Sequence, residues 1–253
     1  AALDALIADL IEQKPDHVAM TGDVAHIGLP AEFETAAAFL ARLGPRERVS
    51  FVPGNHDAYV EGSLDACLTR LAPWVTSDEG AKGFPYLRLR GPVALIGLSS
   101  AVPTAPFNAT GRLGDDQIER AEVLLHYAKS RGLARVILVH HAPQLGGSKP
   151  SKHLVDAEAF EKMLARAGAE LVLHGHNHTT TVALRPCPEG MTPIVGVPSA
   201  SGRRNAHHEP ASYHLIRFDT ETGKPGITLE RRALGPDGAF IANGTLDLGQ
   251  AFG

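Results

Sequence analysis

Four short apolar runs in this chain each end abruptly in a polar cluster, and that pattern restricts the fold more than any other feature. HVAMT (17–21) leads into Gly22-Asp23, RVSFV (48–52) into Gly54-Asn55-His56-Asp57, ARVILV (134–139) into His140-His141, and AELVL (169–173) into His174-Gly175-His176-Asn177-His178. Short apolar runs bounded by turn residues and separated by helical segments read as buried strands of an α/β protein. Ligands of such sheets bind beyond the carboxyl ends of strands, so four strand ends of this kind can bring four polar clusters together. Glycine at several of these ends lets the backbone turn sharply after the strand.

Helical spacing fills the intervals. ALDALIADLIEQ (2–13) places Leu3, Leu6, Ile7 and Leu10 on one face, and Pro15 stops it. PAEFETAAAFLARLG opens with Pro30 and closes with Gly44. A weaker helix is predicted around SLDACLTRLA, a clear amphipathic one in DDQIERAEVLLHYAKS, and another in SKHLVDAEAFEKMLARAG. YLRLR and VALIGLSS, joined by Gly91-Pro92, read as a hairpin. From TVALR onward the pattern turns to strands, PIVGV, SYHLIRF and GITLERR. βα repeats followed by a run of strands predict an α/β fold, a four-layer α/β/β/α sandwich with two mixed β-sheets flanked by helices. One domain is expected over residues 1–253. Because the chain opens at Ala1 inside a helix with no initiator Met, it is expected to be incomplete at its N-terminus.

Composition narrows the function classes. The 253 residues carry a formal net charge of −4, against the basic face usual in a binder of nucleic acid polymers. Phosphate substrates remain open, because bound metal ions supply local positive charge. Cys67 and Cys187 are too few for a disulfide framework or a cysteine zinc site. No apolar run approaches the ~20 residues of a membrane span and no signal peptide is visible, so a cytoplasmic location is expected.

The clusters themselves offer carboxylate, amide and imidazole donors, which suit divalent transition metals. The run GD, GNHD, HH-A-P and GHNH, in that order, resembles the calcineurin-like metallophosphoesterases, closest to their bacterial phosphodiesterase branch. The resemblance implies a metal-dependent phosphoesterase using two divalent ions, Mn, Fe or Zn, and a small phosphate-ester substrate, most simply a phosphodiester such as a cyclic nucleotide. Asp23 would bridge the ions; Asn55, His140 and His176 would complete one site, and His178 would bind the other. A hydroxide between the ions would attack phosphorus, and His56, held by Asp57, would be the acid at the leaving group. The family pattern also opens with Asp-x-His on a first strand, which is missing here; Asp16-His17 has the wrong spacing. The second metal site is therefore incomplete as written, and a first strand lying upstream is the expected reason. Phosphomonoesters and lipid-linked pyrophosphates are alternative substrates, and a non-catalytic scaffold of the same fold is the alternative from another class.

Other residues carry weaker readings. His140 fits the ligand position better than His141, which is expected to line the substrate mouth. His174 is expected to pack or orient. Arg203 and Arg204 offer bidentate phosphate contacts, against an ordinary surface role; His207 and His208 read as solvated. The loop 143–154, long and rich in Gly, Ser and Lys, is either a mobile functional segment or a solvated connector. Asn108 and Gly111 either border the pocket or form a plain turn, and His26 and His153 lie within possible reach of the cleft.

Overall fold

The computed structural model describes residues 2–105, 107–202, 209–219 and 226–249. Its centre is a six-stranded sheet of β3 (Tyr86–Arg90), β4 (Val93–Gly97), β5 (Ala134–Leu138), β6 (Leu171–His174), β7 (Thr181–Cys187) and β8 (Gly190–Gly196), in the order β3-β4-β5-β6-β8-β7. The four inner strands run parallel, and the hairpins β3–β4 and β7–β8 add an antiparallel strand at each edge. The Gly91-Pro92 turn closes the first hairpin as its sequence predicts.

β5 shows why the inner strands read as unbroken apolar runs. All five of its residues are buried, because both faces of a parallel sheet are covered. Ile137 points into a cluster with Ile118, Ala121 and Leu125 of α4 (Asp115–Ser130) and Phe160, Met163 and Leu164 of α5 (Ala157–Ala167). Val136 and Leu138 point the other way, into a cluster with Phe51 of β2 (Val49–Phe51) and Ile227 and Leu229 of β10 (Gly226–Leu234). The single cation of β5, Arg135, stays in this buried setting because Glu170 receives it in paired hydrogen bonds of 2.7 and 2.9 Å.

The second β-layer is divided. β1 (Val18–Met20) pairs in parallel with β2, while β9 (Ser212–Asp219), β10 and β11 (Phe240–Asp247) form an antiparallel sheet. Among the described residues β1 has no partner beyond β2, and β9 none beyond β10. A cleft of about 790 Å³ lies along β1 and β9, with Val18, Met20, Leu95, Leu173, Val195 and Ile216 on its walls. α1 (Ala2–Gln13) closes the outside: its Leu6 and Ile7 pack with Ala211, Phe240 and Phe39 of α2 (Pro30–Leu43). A short α3 (Ser63–Arg70) adds Cys67 to the core facing β2. The result is the α/β/β/α layering read from the sequence. β11 was not legible there, because after Phe240 its residues are exposed and carry no alternation to detect. No helix among the described residues is long and apolar enough to cross a membrane.

Candidate metal centre

The carboxyl ends of β1, β2, β5 and β6 meet at one place, and His140 is its centre. Its Nδ1 donates a 2.6 Å hydrogen bond to the carbonyl of Thr21. A carbonyl can only accept, so Nδ1 carries a proton and Nε2 faces the other way. Three further ligand atoms lie 3.2 Å from that nitrogen: Oδ2 of Asp23, Oδ1 of Asn55 and Nδ1 of His176. A proton on Nε2 would serve only one of these three partners, whereas a metal ion that displaces it would meet all four donor atoms at once. Donor atoms about 3 Å apart are also what a shell of ~2.0–2.2 Å bonds to one ion produces. The donor set therefore fits a divalent transition metal.

Backbone geometry supports this. Asp23, His176 and His178 have φ of 58°, 66° and 57°, in the left-handed region that residues with a Cβ seldom occupy. Two glycines make room for the ligands. At Gly22, φ is 101° and a Cβ would lie 2.4 Å from Nδ1 of His140; at Gly54 a Cβ would lie 2.2 Å from Oδ1 of Asp23.

The electrostatics follow from burial. Burial disfavours charge on Asp23, yet the adjacent His140 imidazole outweighs it and holds the carboxyl below the usual range. Burial likewise opposes charge on His140, and Asp23 reverses this and raises its pKa. His176 is pushed down to about 3, by burial first and His140 second, so it is neutral and competent as a ligand.

Asp57 does something other than hold the His56 ring, which was its expected role. The fully buried carboxylate accepts four backbone N–H groups: Asp23 at 2.9 Å, Gly54 at 2.8 Å, and Val24 and Ala25 at 3.0 Å each. It thereby ties the loop after β1 to the loop after β2. Burial and the charge of Asp23 push its pKa up to about 6. The His56 ring instead donates from Nδ1 to the carbonyl of His26, at 2.6 Å. His26, left open in the sequence, is thus part of the site through its backbone.

His141 is fully buried and does not line a mouth. It lies in one potential ligand group with His140 and His176, with ligand atoms within 4.8 Å of one another. Both its nitrogens are already engaged: Nε2 donates to the carbonyl of Ala109 at 3.1 Å, and Nδ1 accepts from the Ser100 hydroxyl at 2.7 Å. Gly111 backs this ring, since a Cβ there would meet its Nδ1 at 2.2 Å. His174 is buried too, its Nδ1 bonded to the carbonyl of Gly175.

The loop 143–154 is pinned to the site. Asn177 donates to the carbonyl of Gly147 and accepts from the Ser148 hydroxyl, both at 2.8 Å. His153 is bonded within that loop, to the carbonyl of Pro150. Arg203, Arg204, His207 and His208 lie outside the described residues. The sequence reading missed Thr21, Ser100 and Tyr59. Thr21 acts through its carbonyl and so leaves no side-chain signal, whereas an aromatic three residues beyond His56 could have been noticed.

The sequence profile of the calcineurin-like phosphoesterases matches residues 1–180, a span containing all four strand-end clusters. This chain belongs to that family. Among relatives of the phosphoesterase, a probable cyclic nucleotide phosphodiesterase of Synechococcus sp. is 26% identical over 221 residues, covering 86% of this chain and 77% of that protein. A glycerophosphodiester phosphodiesterase of Enterobacter lignolyticus is 26% identical over 177 residues, which span 68% of this chain and 59% of the relative. In fold, it resembles a dimetal phosphatase from Danio rerio, with TM-score 0.65 at 12% identity over 95% of this chain and 87% of the other. A purple acid phosphatase from yellow lupin gives TM-score 0.61 at 14% identity, over 97% and 48% of the respective chains.

Proposed function

We propose that this calcineurin-like phosphoesterase hydrolyses a small phosphodiester, with Asp23, Asn55, His140 and His176 as ligands of a divalent ion. The observation that carries the proposal is Nε2 of His140 facing three other ligand atoms at 3.2 Å. A bound ion supplies Lewis acidity, lowering the pKa of water toward ~7 and neutralising charge on phosphoryl oxygens. The residues hold and orient. Asp23 contributes one oxygen to this set, and its other oxygen is steadied by the backbone N–H of His56 at 3.0 Å. Asn55 adds a neutral oxygen, which keeps the cluster from becoming too negative to admit a phosphate. Asp23 and His178 are the start of a second site, with two ions as the working complement.

His56 is proposed as the catalytic acid. With Nδ1–H committed to the His26 carbonyl, the acid is the imidazolium, and its Nε2–H is the proton handed to the departing alkoxide. Both curated relatives carry phosphodiesterase names, one for cyclic nucleotides and one for glycerophosphodiesters, which favours a diester over a monoester.

Purified protein loaded with Mn²⁺, Fe²⁺ or Zn²⁺ is expected to hydrolyse an aryl phosphodiester faster than an aryl monoester. Asn55→Ala is expected to lower both bound metal and turnover, by about 100-fold for turnover. Turnover that is independent of metal, or untouched by Asn55→Ala, would overturn the assignment.

A further inference from the structure

The ring of His56 is held on three sides by groups outside the four strand-end clusters. Its Nδ1 bond to the His26 carbonyl fixes which nitrogen carries the proton, because that oxygen has nothing to donate. A single hydrogen bond leaves the plane of the ring able to tilt about it. That freedom is removed by two neighbours. The His26 ring stacks at 5.8 Å between centroids with 15° between planes, and Tyr59 stacks at 5.9 Å and 14°. Three nearly parallel rings at these spacings lie in the range of favourable aromatic contact.

The His26 carbonyl is itself anchored. Glu32, in the first turn of α2, accepts three backbone N–H groups: His26 at 3.0 Å, Ile27 at 3.2 Å and Leu29 at 2.8 Å. One carboxylate thus fixes the loop 26–29 to a helix, and the loop fixes the imidazole. Backbone bonding, with that from Leu29 the strongest influence, holds the Glu32 carboxyl below its ordinary pKa, so it remains an acceptor.

We propose that Glu32, His26 and Tyr59 are positioning residues for His56: they keep its Nδ1–H on the His26 carbonyl and fix its ring plane, so that the imidazolium form aims its Nε2–H at the leaving-group oxygen and the neutral Nδ1–H ring is left after transfer. The proposal rests on the phosphodiesterase reading for its catalytic consequence, though not for the geometry it asserts. Orientation matters because a general acid works only within hydrogen-bond reach of the atom it protonates, and contributes about 10²–10⁴-fold when it is there. The need for that proton depends on the leaving group: a nitrophenolate departs without one, and a simple alkoxide does not.

The test pairs kinetics with a spectroscopic readout. Tyr59→Ala and Glu32→Ala are expected to lower kcat for an alkyl phosphodiester by about 10-fold or more while changing a nitrophenyl diester by about 2-fold or less. KM and metal content are expected to hold, and Tyr59→Phe to restore most of what Tyr59→Ala loses. In zinc-loaded, ¹⁵N-histidine protein at a pH where the ring is neutral, the His56 signals, identified by their loss in His56→Gln, are expected to report one Nδ1–H tautomer, and a mixture in Glu32→Ala. Equal losses on both leaving groups, or an unchanged tautomer in Glu32→Ala, would overturn the proposal. Wild-type protein that shows the locked tautomer but hydrolyses no diester would sink the functional reading and leave the positioning established.

Discussion

Gly54 shows how finely single residues set this site. Its φ lies outside the left-handed region, so alanine is acceptable to the backbone there. The difficulty is space, since the added methyl would sit 2.2 Å from Oδ1 of Asp23 and 2.7 Å from Cε1 of His140. Neither ring nor carboxylate can yield without leaving the shared centre. Gly54→Ala is expected to keep the fold, judged by far-UV circular dichroism, while metal affinity and turnover fall by about 100-fold, the cost of a misplacement near 1 Å. Retained metal binding in this variant would show that Asp23 can move and still ligate. The orientation of His140 belongs to the same scale: a backbone carbonyl, invisible in the sequence, decides which nitrogen faces Asp23, Asn55 and His176.

Among the elements, the joining of two strand ends depends on Asp57. β1 and β2 are three residues each, too short for their ladder alone to fix the loops beyond them. Four N–H groups converging on one buried carboxylate supply the missing definition. An asparagine at this position has one acceptor oxygen and a competing donor, so it cannot serve all four. Asp57→Asn is expected to cost about 3 kcal/mol of stability in urea unfolding, the scale of losing charge-assisted buried hydrogen bonds, and to weaken metal binding through Asp23. An unchanged unfolding midpoint would mean that the strand ends are held elsewhere. The sequence motif placed Asp57 beside His56 in the chain, and adjacency suggested a side-chain contact. The 3-10 turn over His56–Ala58 instead points the two side chains to different partners.

At the scale of the whole molecule, partly buried histidines make stability depend on pH. His17 is pushed down to about 4 by burial and the nearby Arg90, and His214 to about 4 by burial and Arg231. Each is neutral in the folded protein where the unfolded chain would take a proton near pH 6.5. Between those values the unfolded state binds more protons, so stability rises with pH there. The contribution is complete above about 6.5 and is lost as pH falls through about 4. Metal-free protein is expected to unfold at lower urea at pH 5 than at pH 7, with a smaller difference in His17→Gln and His214→Gln. Equal midpoints at the two pH values would show that neither ring is desolvated.

Much of this was legible in the chain. The inner strands read as apolar runs because both their faces are covered, the helices by their spacing, and the site as polar clusters placed where strands end. These signals are local, each written within one short segment of the chain. The pairing of β1 with β2, the division of the second β-layer and the partner of each ring nitrogen came from contacts between segments over 30 residues apart, such as Thr21 with His140 and Ser100 with His141. Residue type tells which atoms are able to bond, while the packing of layers selects which of them meet. That is why candidate donors could be named from the sequence, and why the contacts of the His56 ring emerged from the fold alone.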